Sequence, residues 1–179
     1  MIVLAGASAS GKTEVAKMLA KKYGIVKAIT TTTRDLRVGE KDGRDYFFVS
    51  KDKFLEMIHD GRFVEYTTYN DHLYGSTKDQ IAENKCVVVD PMGLKAYIDL
   101  HDDNILTFFL ESTEDTRIKR MIVRGDKEEK IKSRILHDRE AFKKENIPSV
   151  DCTIESEYET VEEVADEIYR IYQEFLSKR

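Results

Sequence analysis

The chain has 179 residues, 41% of them hydrophobic and 35% charged. That is enough apolar material for one core, with a charged share above the usual quarter, which points to long solvated helical faces. Two prolines and nine glycines exclude collagen-like and low-complexity material, and 29 basic against 34 acidic residues give a net charge of −5. A general polyanion-binding surface is excluded, so no nucleic-acid partner is expected, and any anionic substrate needs a local basic pocket working against the overall field.

Ile2-Val3-Leu4 is a short apolar run that ends at Gly6, and Thr13 to Tyr23 has Val15, Met18 and Leu19 on one helical face with Lys17, Lys21 and Lys22 on the other. Gly24 closes that helix as a C′ residue. Ile25 to Thr33 is rich in β-branched residues and reads as extended. Strand, turn, helix, strand in that order predict a βαβ unit and a parallel sheet. Arg34 to Arg44, with Gly39 and Gly43, reads as loop. Tyr46 to Val49 reads as a strand, Lys51 to Asp60 as an amphipathic helix, and Phe63 to Tyr69 with Leu73-Tyr74 as two strands joined at Asn70-Asp71. Together these predict a compact β-rich insert. Cys86 to Val89 is an apolar strand of the buried parallel kind, ending in Asp90-Pro91, and Ile105 to Leu110 is another. Glu114 to Lys144 is a charged helical stretch interrupted at Arg124-Gly125-Asp126. Ile147 to Ile154 returns to the sheet, and Val161, Val164, Ile168, Ile171, Tyr172 and Phe175 mark an amphipathic final helix.

Cys86 and Cys152 form no CxxC motif or disulfide framework, and read as partly buried thiols in a reducing compartment. His59, His72, His101 and His137 show no metal-ligand spacing. No apolar run approaches the ~18 residues of a membrane span, and the opening run has neither a basic region before it nor a cleavage site after it. The expectation is a cytoplasmic protein with no membrane partner.

Gly6-Ala7-Ser8-Ala9-Ser10-Gly11-Lys12-Thr13 fits GxxxxGK[ST] between a strand and a helix, the context that makes this motif a phosphate loop. Glycines let the backbone curl so that successive N–H groups face one anion, and the helix N-terminus adds its positive end. Lys12 is expected at the β- and γ-phosphates and the Thr13 hydroxyl on Mg²⁺. The chain therefore binds a nucleoside triphosphate, ATP or GTP.

From Thr32 through Phe48 the sequence packs Arg34, Arg37, Gly39, Gly43 and Tyr46 into one loop. Here it resembles the guanylate kinase family, whose acceptor loop reads much like TTRxxRxGExxGxDYxF. Phe63-Val64-Glu65-Tyr66, Tyr74-Gly75-Ser76-Thr77 and Asp90 follow in the family's order, so the resemblance covers nearly the whole chain. It implies Arg34 and Arg37 as clamps on the acceptor monophosphate, which planar guanidiniums grip bidentately. It implies Tyr46 and Tyr74 as hydroxyl donors to that phosphate. Glu65 becomes the guanine reader, since a carboxylate accepts from both the ring N1–H and the exocyclic amine while adenine offers no such pair. Thr30, Ser76 and Asp90 are implied as further base contacts. Arg120 and Arg124, four apart on one helical face, and the later Arg134 resemble the arginines of a lid that folds over the triphosphate. Arg117, Lys127 and Lys130 complete that basic run and read as solvated.

The sequence departs from the family at Ala9, where a third glycine is usual, and an alanine there costs stability if its φ is positive. It also departs at Met92, and at Glu155-Ser156 after the last strand, where the family has an asparagine near the donor base. The lid is one residue short.

The resulting expectation is an α/β P-loop kinase with a central parallel sheet flanked by helices, as one domain. Its core is 1–30, 86–111 and 139–179, its GMP-binding insert about 31–85 and its lid about 112–138. Its expected activity is Mg²⁺-dependent transfer of the ATP γ-phosphoryl to GMP. The alternatives are a deoxynucleotide kinase, left open by Met92, a ribose bisphosphate phosphokinase, which should lack Glu65, and a non-catalytic guanylate kinase-like module, against which Lys12 and Thr13 argue.

Overall fold

The computed structural model describes residues 1–157 and 160–179. Its central sheet is built from β1 (Ile2–Ala5), β2 (Val26–Lys27), β7 (Lys85–Val88), β8 (Leu106–Glu111) and β9 (Cys152–Glu155), in the order β2-β7-β1-β8-β9. Each described pairing in it is parallel. β1 runs Ile2-Val3-Leu4-Ala5 with no polar residue because helices cover both faces of the sheet. Its side chains alternate between the two sides. Ile2 and Leu4 join Val15 and Leu19 of α1 (Lys12–Tyr23) and Val164, Ile168 and Tyr172 of α6 (Val161–Ser177). Val3 and Ala5 face Leu94 and Tyr97 of α3 (Pro91–Ile98). Each fully buried Ile, Leu or Phe there contributes roughly 1.5–3 kcal/mol by leaving water.

A second sheet carries the insert: β4 (Phe47–Phe48), β3 (Thr31–Thr32), β6 (His72–Thr77) and β5 (Phe63–Tyr69), in that order. The segment 25–33, expected as one extended piece, divides here. Val26-Lys27 pairs with β7 of the central sheet and Thr31-Thr32 with β4 and β6 of the small one. A run of β-branched residues carries the extended preference but not the choice of partner. The threonines are tied to β6 by Thr32 Oγ1 donating to Leu73 O (3.0 Å) and Leu73 N donating to Thr33 Oγ1 (2.9 Å). Asn70 and Asp71 both have positive φ, 48° and 61°, and form the tight hairpin turn between β5 and β6. Gly75 lies so close to the Phe63 ring that a Cβ would stand 2.6 Å from it, so no larger residue fits. Phe63 stacks at 4.4 Å on Phe54 of α2 (Lys51–His59), which closes a small separate core with Met57.

Some boundaries, and one helix, differ from expectation. β6 extends well beyond Leu73-Tyr74, and β9 begins at Cys152 rather than Ile147. Helix α3 was not anticipated, although its start signals are present: Asp90 is its N-cap, accepting from Gly93 N at 2.8 Å, and Pro91 occupies its first turn. The charged stretch divides at Gly125, φ 84°, into α4 (Glu114–Val123) and α5 (Glu128–Ala141). Among the described residues no helix is long and apolar enough to cross a membrane.

Candidate functional site

The loop after β1 curls around its own backbone. Gly6 has φ 146°, and a Cβ there would meet Leu110 O at 2.6 Å, so only glycine permits the loop to leave the sheet at this point. Lys12, the first residue of α1, folds back: its Nζ donates to Gly6 O at 2.6 Å and Ala7 O at 2.8 Å. Burial pulls its pKa from 10.5 to about 8, with Asp138 pushing it back up and Arg117 pushing it down. Ala9 has φ 61°, so the alanine stands in the left-handed region and carries the cost expected there. Its side chain packs against the α4–α5 cluster of Met121, Ile131 and Ile135.

A cavity of about 340 Å³ opens beside this loop. Gly11, Lys12, Thr13, Arg120, Arg124 and Ser156 line it, with Val161 and Val164 as an apolar wall. Arg120 Nη1 donates to Ala9 O at 3.3 Å and Nη2 donates to Ser156 O. Arg124 shares the cavity wall, as its spacing from Arg120 implied, but its guanidinium is engaged by Asp126, and Arg134 lies 3.6 Å from the same carboxylate. Asp126 thus faces two of the three arginines expected at the phosphates, and these partners hold its carboxyl below the usual carboxylate range.

The sequence reads Arg117 as solvated, marks Ser156 only as a departure after the last strand and does not single out Asp138; the structure buries all three. Arg117 and Asp138 form a buried ion pair at 2.8 Å between α4 and α5, with side chains 9% and 4% exposed. Asp138 also accepts from Ser8 N at 2.8 Å and from Ser8 Oγ at 3.1 Å, which ties α5 to the loop after β1. The available signal was register: Ile131, Ile135 and Asp138 share the buried stripe of α5, so a carboxylate stands where an apolar residue is expected. Ser156 is buried, with its Oγ 2.9 Å from Ser10 O and 3.0 Å from Glu111 O.

The second cluster lies on the small sheet. Arg34 is buried, with its guanidinium carbon 5.4 Å from the Tyr46 ring centroid and 5.6 Å from that of Phe48. Tyr46 and Tyr74 meet edge to face at 6.0 Å. Arg34 Nη2 grips Glu40 at 2.8 and 3.0 Å, and Arg37 N donates to the same carboxylate at 2.9 Å. Glu40, not singled out from the sequence as a site residue, is held below the usual carboxylate range first by Arg34 and then by the Arg37 backbone. The Arg37 side chain is exposed. Glu65 of β5 is in register with Ser76 of β6, and Tyr74 lies two residues before Ser76 on the same face. Thr30 precedes β3, and Asp90 is exposed at the start of α3. Arginine, two tyrosines, serine and glutamate are therefore arrayed along one small sheet, separate from the loop that holds Lys12. Among the described residues no group of three or more His, Cys, Asp or Glu side chains is arranged to hold a metal ion.

The guanylate kinase family model matches residues 1–177. A guanylate kinase of Anaplasma phagocytophilum (strain HZ) is 30% identical over 181 residues, covering 96% of this chain and 84% of that protein. One from Clostridioides difficile (strain 630) is 33% identical over 136 residues, 72% of this chain and 66% of the other. The crystal structure of guanylate kinase from Anaplasma phagocytophilum has a TM-score of 0.62 at 24% identity, covering 97% of this chain and 84% of that one, a likeness of fold.

Proposed function

The chain belongs to the guanylate kinase family, and from that premise we propose how its residues divide the work of moving the γ-phosphoryl of ATP to GMP. It is a nucleoside monophosphate kinase of the ATP:GMP phosphotransferase kind. The single observation that carries the division of labour is the separation of two cationic centres, Lys12 in the loop after β1 and Arg34 beneath Tyr46 in the insert.

Gly6 to Thr13 cradle the triphosphate through backbone N–H groups, and Lys12 exchanges its two loop carbonyls for phosphate oxygens. Arg120, already at the cavity, and Arg124 and Arg134, once released from Asp126, take up charge on the transferring group. Arg34 and Arg37 hold the GMP phosphate, with Tyr46 and Tyr74 as hydroxyl donors and Glu40 as the anion that phosphate displaces. Glu65 reads N1–H and the 2-amino group of guanine, and Thr30, Ser76 and Asp90 complete the base contacts. A phosphate oxygen of GMP is already a nucleophile, so no general base is needed, and positioning and charge supply the catalysis.

Thr13 suits a magnesium ion: it lines the cavity beside Lys12 and would offer its hydroxyl, with phosphate oxygens and water completing the set, since no carboxylate cluster lies among the described residues. When bound, Mg²⁺ neutralises charge on the phosphates. The free thiols of Cys86 and Cys152 and the nucleotide substrates suit a cytoplasmic setting.

A coupled ADP-release assay with ATP tests this reading, run in turn with GMP, dGMP, AMP, CMP and UMP. The expected result is turnover with GMP and none with the pyrimidine nucleotides. Equal rates across the five acceptors, or none with GMP, would overturn it.

A further inference from the structure

Ser10 N donates to Ala7 O at 3.2 Å, so Ser8 and Ala9 are the central pair of a turn in the loop after β1. Of the two, only Ala9 has positive φ, 61°. That pattern calls for glycine at the second central place. For an L-residue the left-handed region is disfavoured about 5- to 30-fold, whereas glycine takes positive φ as readily as negative. A residue in such a conformation persists where its surroundings over-determine it.

The surroundings here are α4 and α5. Asp138 of α5 accepts from Ser8 N at 2.8 Å and from Ser8 Oγ at 3.1 Å. Arg117 of α4 donates to the same carboxylate at 2.8 Å and places Nη1 3.5 Å from Ser8 O. The peptide groups on both sides of Ser8 are thus gripped from one direction. The Ala9 side chain packs on Met121, Ile131 and Ile135 of the same two helices. Arg120 also reaches the turn, donating to Ala9 O at 3.3 Å, but the function above needs it at the phosphates. Arg117 and Asp138 have no such duty, and both are buried.

We propose that the Arg117–Asp138 pair is a positioning clamp for this loop. It holds the Ser8–Ala9 turn in the conformation that a glycine would take unaided. It thereby fixes how the next three residues, Gly11, Lys12 and Thr13 after Ser10, are presented to the cavity they line. Affinity for the phosphoryl donor then depends on two side chains that never touch the nucleotide. This inference rests on the reading of Gly6 to Thr13 as the loop that cradles the triphosphate.

The test replaces the clamp with apolar residues, Arg117→Met together with Asp138→Leu, and measures KM for ATP and for GMP with and without Ala9→Gly. Removing the clamp should raise KM for ATP about tenfold, within the preference against an alanine at this φ. KM for GMP stays as it was. Adding Ala9→Gly should bring KM for ATP back to within about threefold of wild type, because glycine needs no clamp to hold the turn. Made alone in the wild-type protein, Ala9→Gly brings no such fall in KM. Asp138→Asn is the milder variant: it keeps the volume but puts an N–H where Ser8 or Arg117 needs an acceptor. It should raise KM for ATP at least threefold, again reversed by Ala9→Gly, and it decides the matter should the double variant not fold. A KM for ATP within twofold of wild type, a parallel rise for GMP, or a rise that Ala9→Gly does not reverse would assign the pair to packing and overturn the proposal. Lys12→Met separates the two readings. If it loses turnover while the clamp variants keep their affinity for ATP, only the clamp fails. If it turns over normally, the reading of the loop fails and the clamp with it.

Discussion

Lys12 shows how a single residue is held in a costly state. Its ammonium is buried against two carbonyls, and its folded pKa of about 8 lies below the unfolded 10.5. Below pH 8 both states are protonated and the fold carries the full cost. Between about 8 and 10.5 only the unfolded chain keeps the proton, so stability rises with pH there. Lys12→Met should therefore be more stable than wild type at pH 7, by roughly 1–3 kcal/mol, with the gap closing toward pH 10.5 in urea titrations. The same variant should lose on the order of 10²-fold or more in kcat. A variant that turns over normally would refute the role of Lys12. Ala9 is strained in the opposite sense, since its backbone rather than its charge is misplaced. Relief of about 1–2 kcal/mol in Ala9→Gly is offset by the greater chain entropy of glycine, about 0.4–1 kcal/mol, and by the methyl lost from the lid contact. That variant should lie within about 1 kcal/mol of wild type. Ala9→Val, β-branched at φ 61°, should lose more than about 2 kcal/mol. For Glu65→Gln, one acceptor becomes a donor facing a guanine N–H. We expect a loss of about 30- to 1,000-fold in kcat/KM for GMP. A change within twofold would return Glu65 to the strand surface.

Helices α4 and α5 are joined by the buried Arg117–Asp138 pair, the exposed Arg139–Glu114 pair and a short apolar seam, and Asp138 also grips Ser8. Asp138→Ala leaves the Arg117 guanidinium buried without its counter-charge, and Arg117 Nε already has no partner among the described residues. The expected cost is about 3–5 kcal/mol, and Arg117→Met with Asp138→Leu should recover most of it. Equal destabilisation in the single and double variants would show that the pair is not the source. The arginines farther out behave differently. Arg124 and Arg134 share Asp126 at the protein surface, where an ion pair is weak enough to be exchanged for phosphate. Hydrogen exchange across residues 112–138 should slow when ATP and GMP analogues are bound together, and much less with either alone. Unchanged exchange at confirmed saturation would make the stretch a plain solvated helix pair.

At the scale of the whole molecule, folding and binding are linked. A ligand that binds only the folded state at 100 times its Kd adds about 2.7 kcal/mol to the unfolding free energy. GMP at that level should raise the wild-type melting temperature, and Glu65→Gln at the same GMP concentration should show little of the rise. Equal shifts in both proteins would mean that GMP binds without Glu65.

The sequence by itself determined the elements whose local chemistry and burial agree. Ile2 to Leu4, the glycine-bearing loop and the Val15–Leu19 face belong together in any fold that buries one strand between helices. Gly24 and Gly125 end helices because both take positive φ, 70° and 84°. The motif order also singled out Arg34 with Tyr46 and Tyr74, and Arg120 with Arg124, and the structure brings each of these sets together. What only the tertiary structure decided is pairing between segments distant in the chain. It divided residues 25–33 between two sheets, since strand partners are chosen by the packed surroundings rather than by propensity. It set Asp138 against Ser8, 130 residues away, and buried the Tyr97 hydroxyl without a hydrogen-bond partner among the described residues. In the sequence these two are a charge in a charged helix and an aromatic in a short apolar run. Burial made one a tether and the other an unpaired donor, because a polar group's role is fixed by what is left to bond once water is gone.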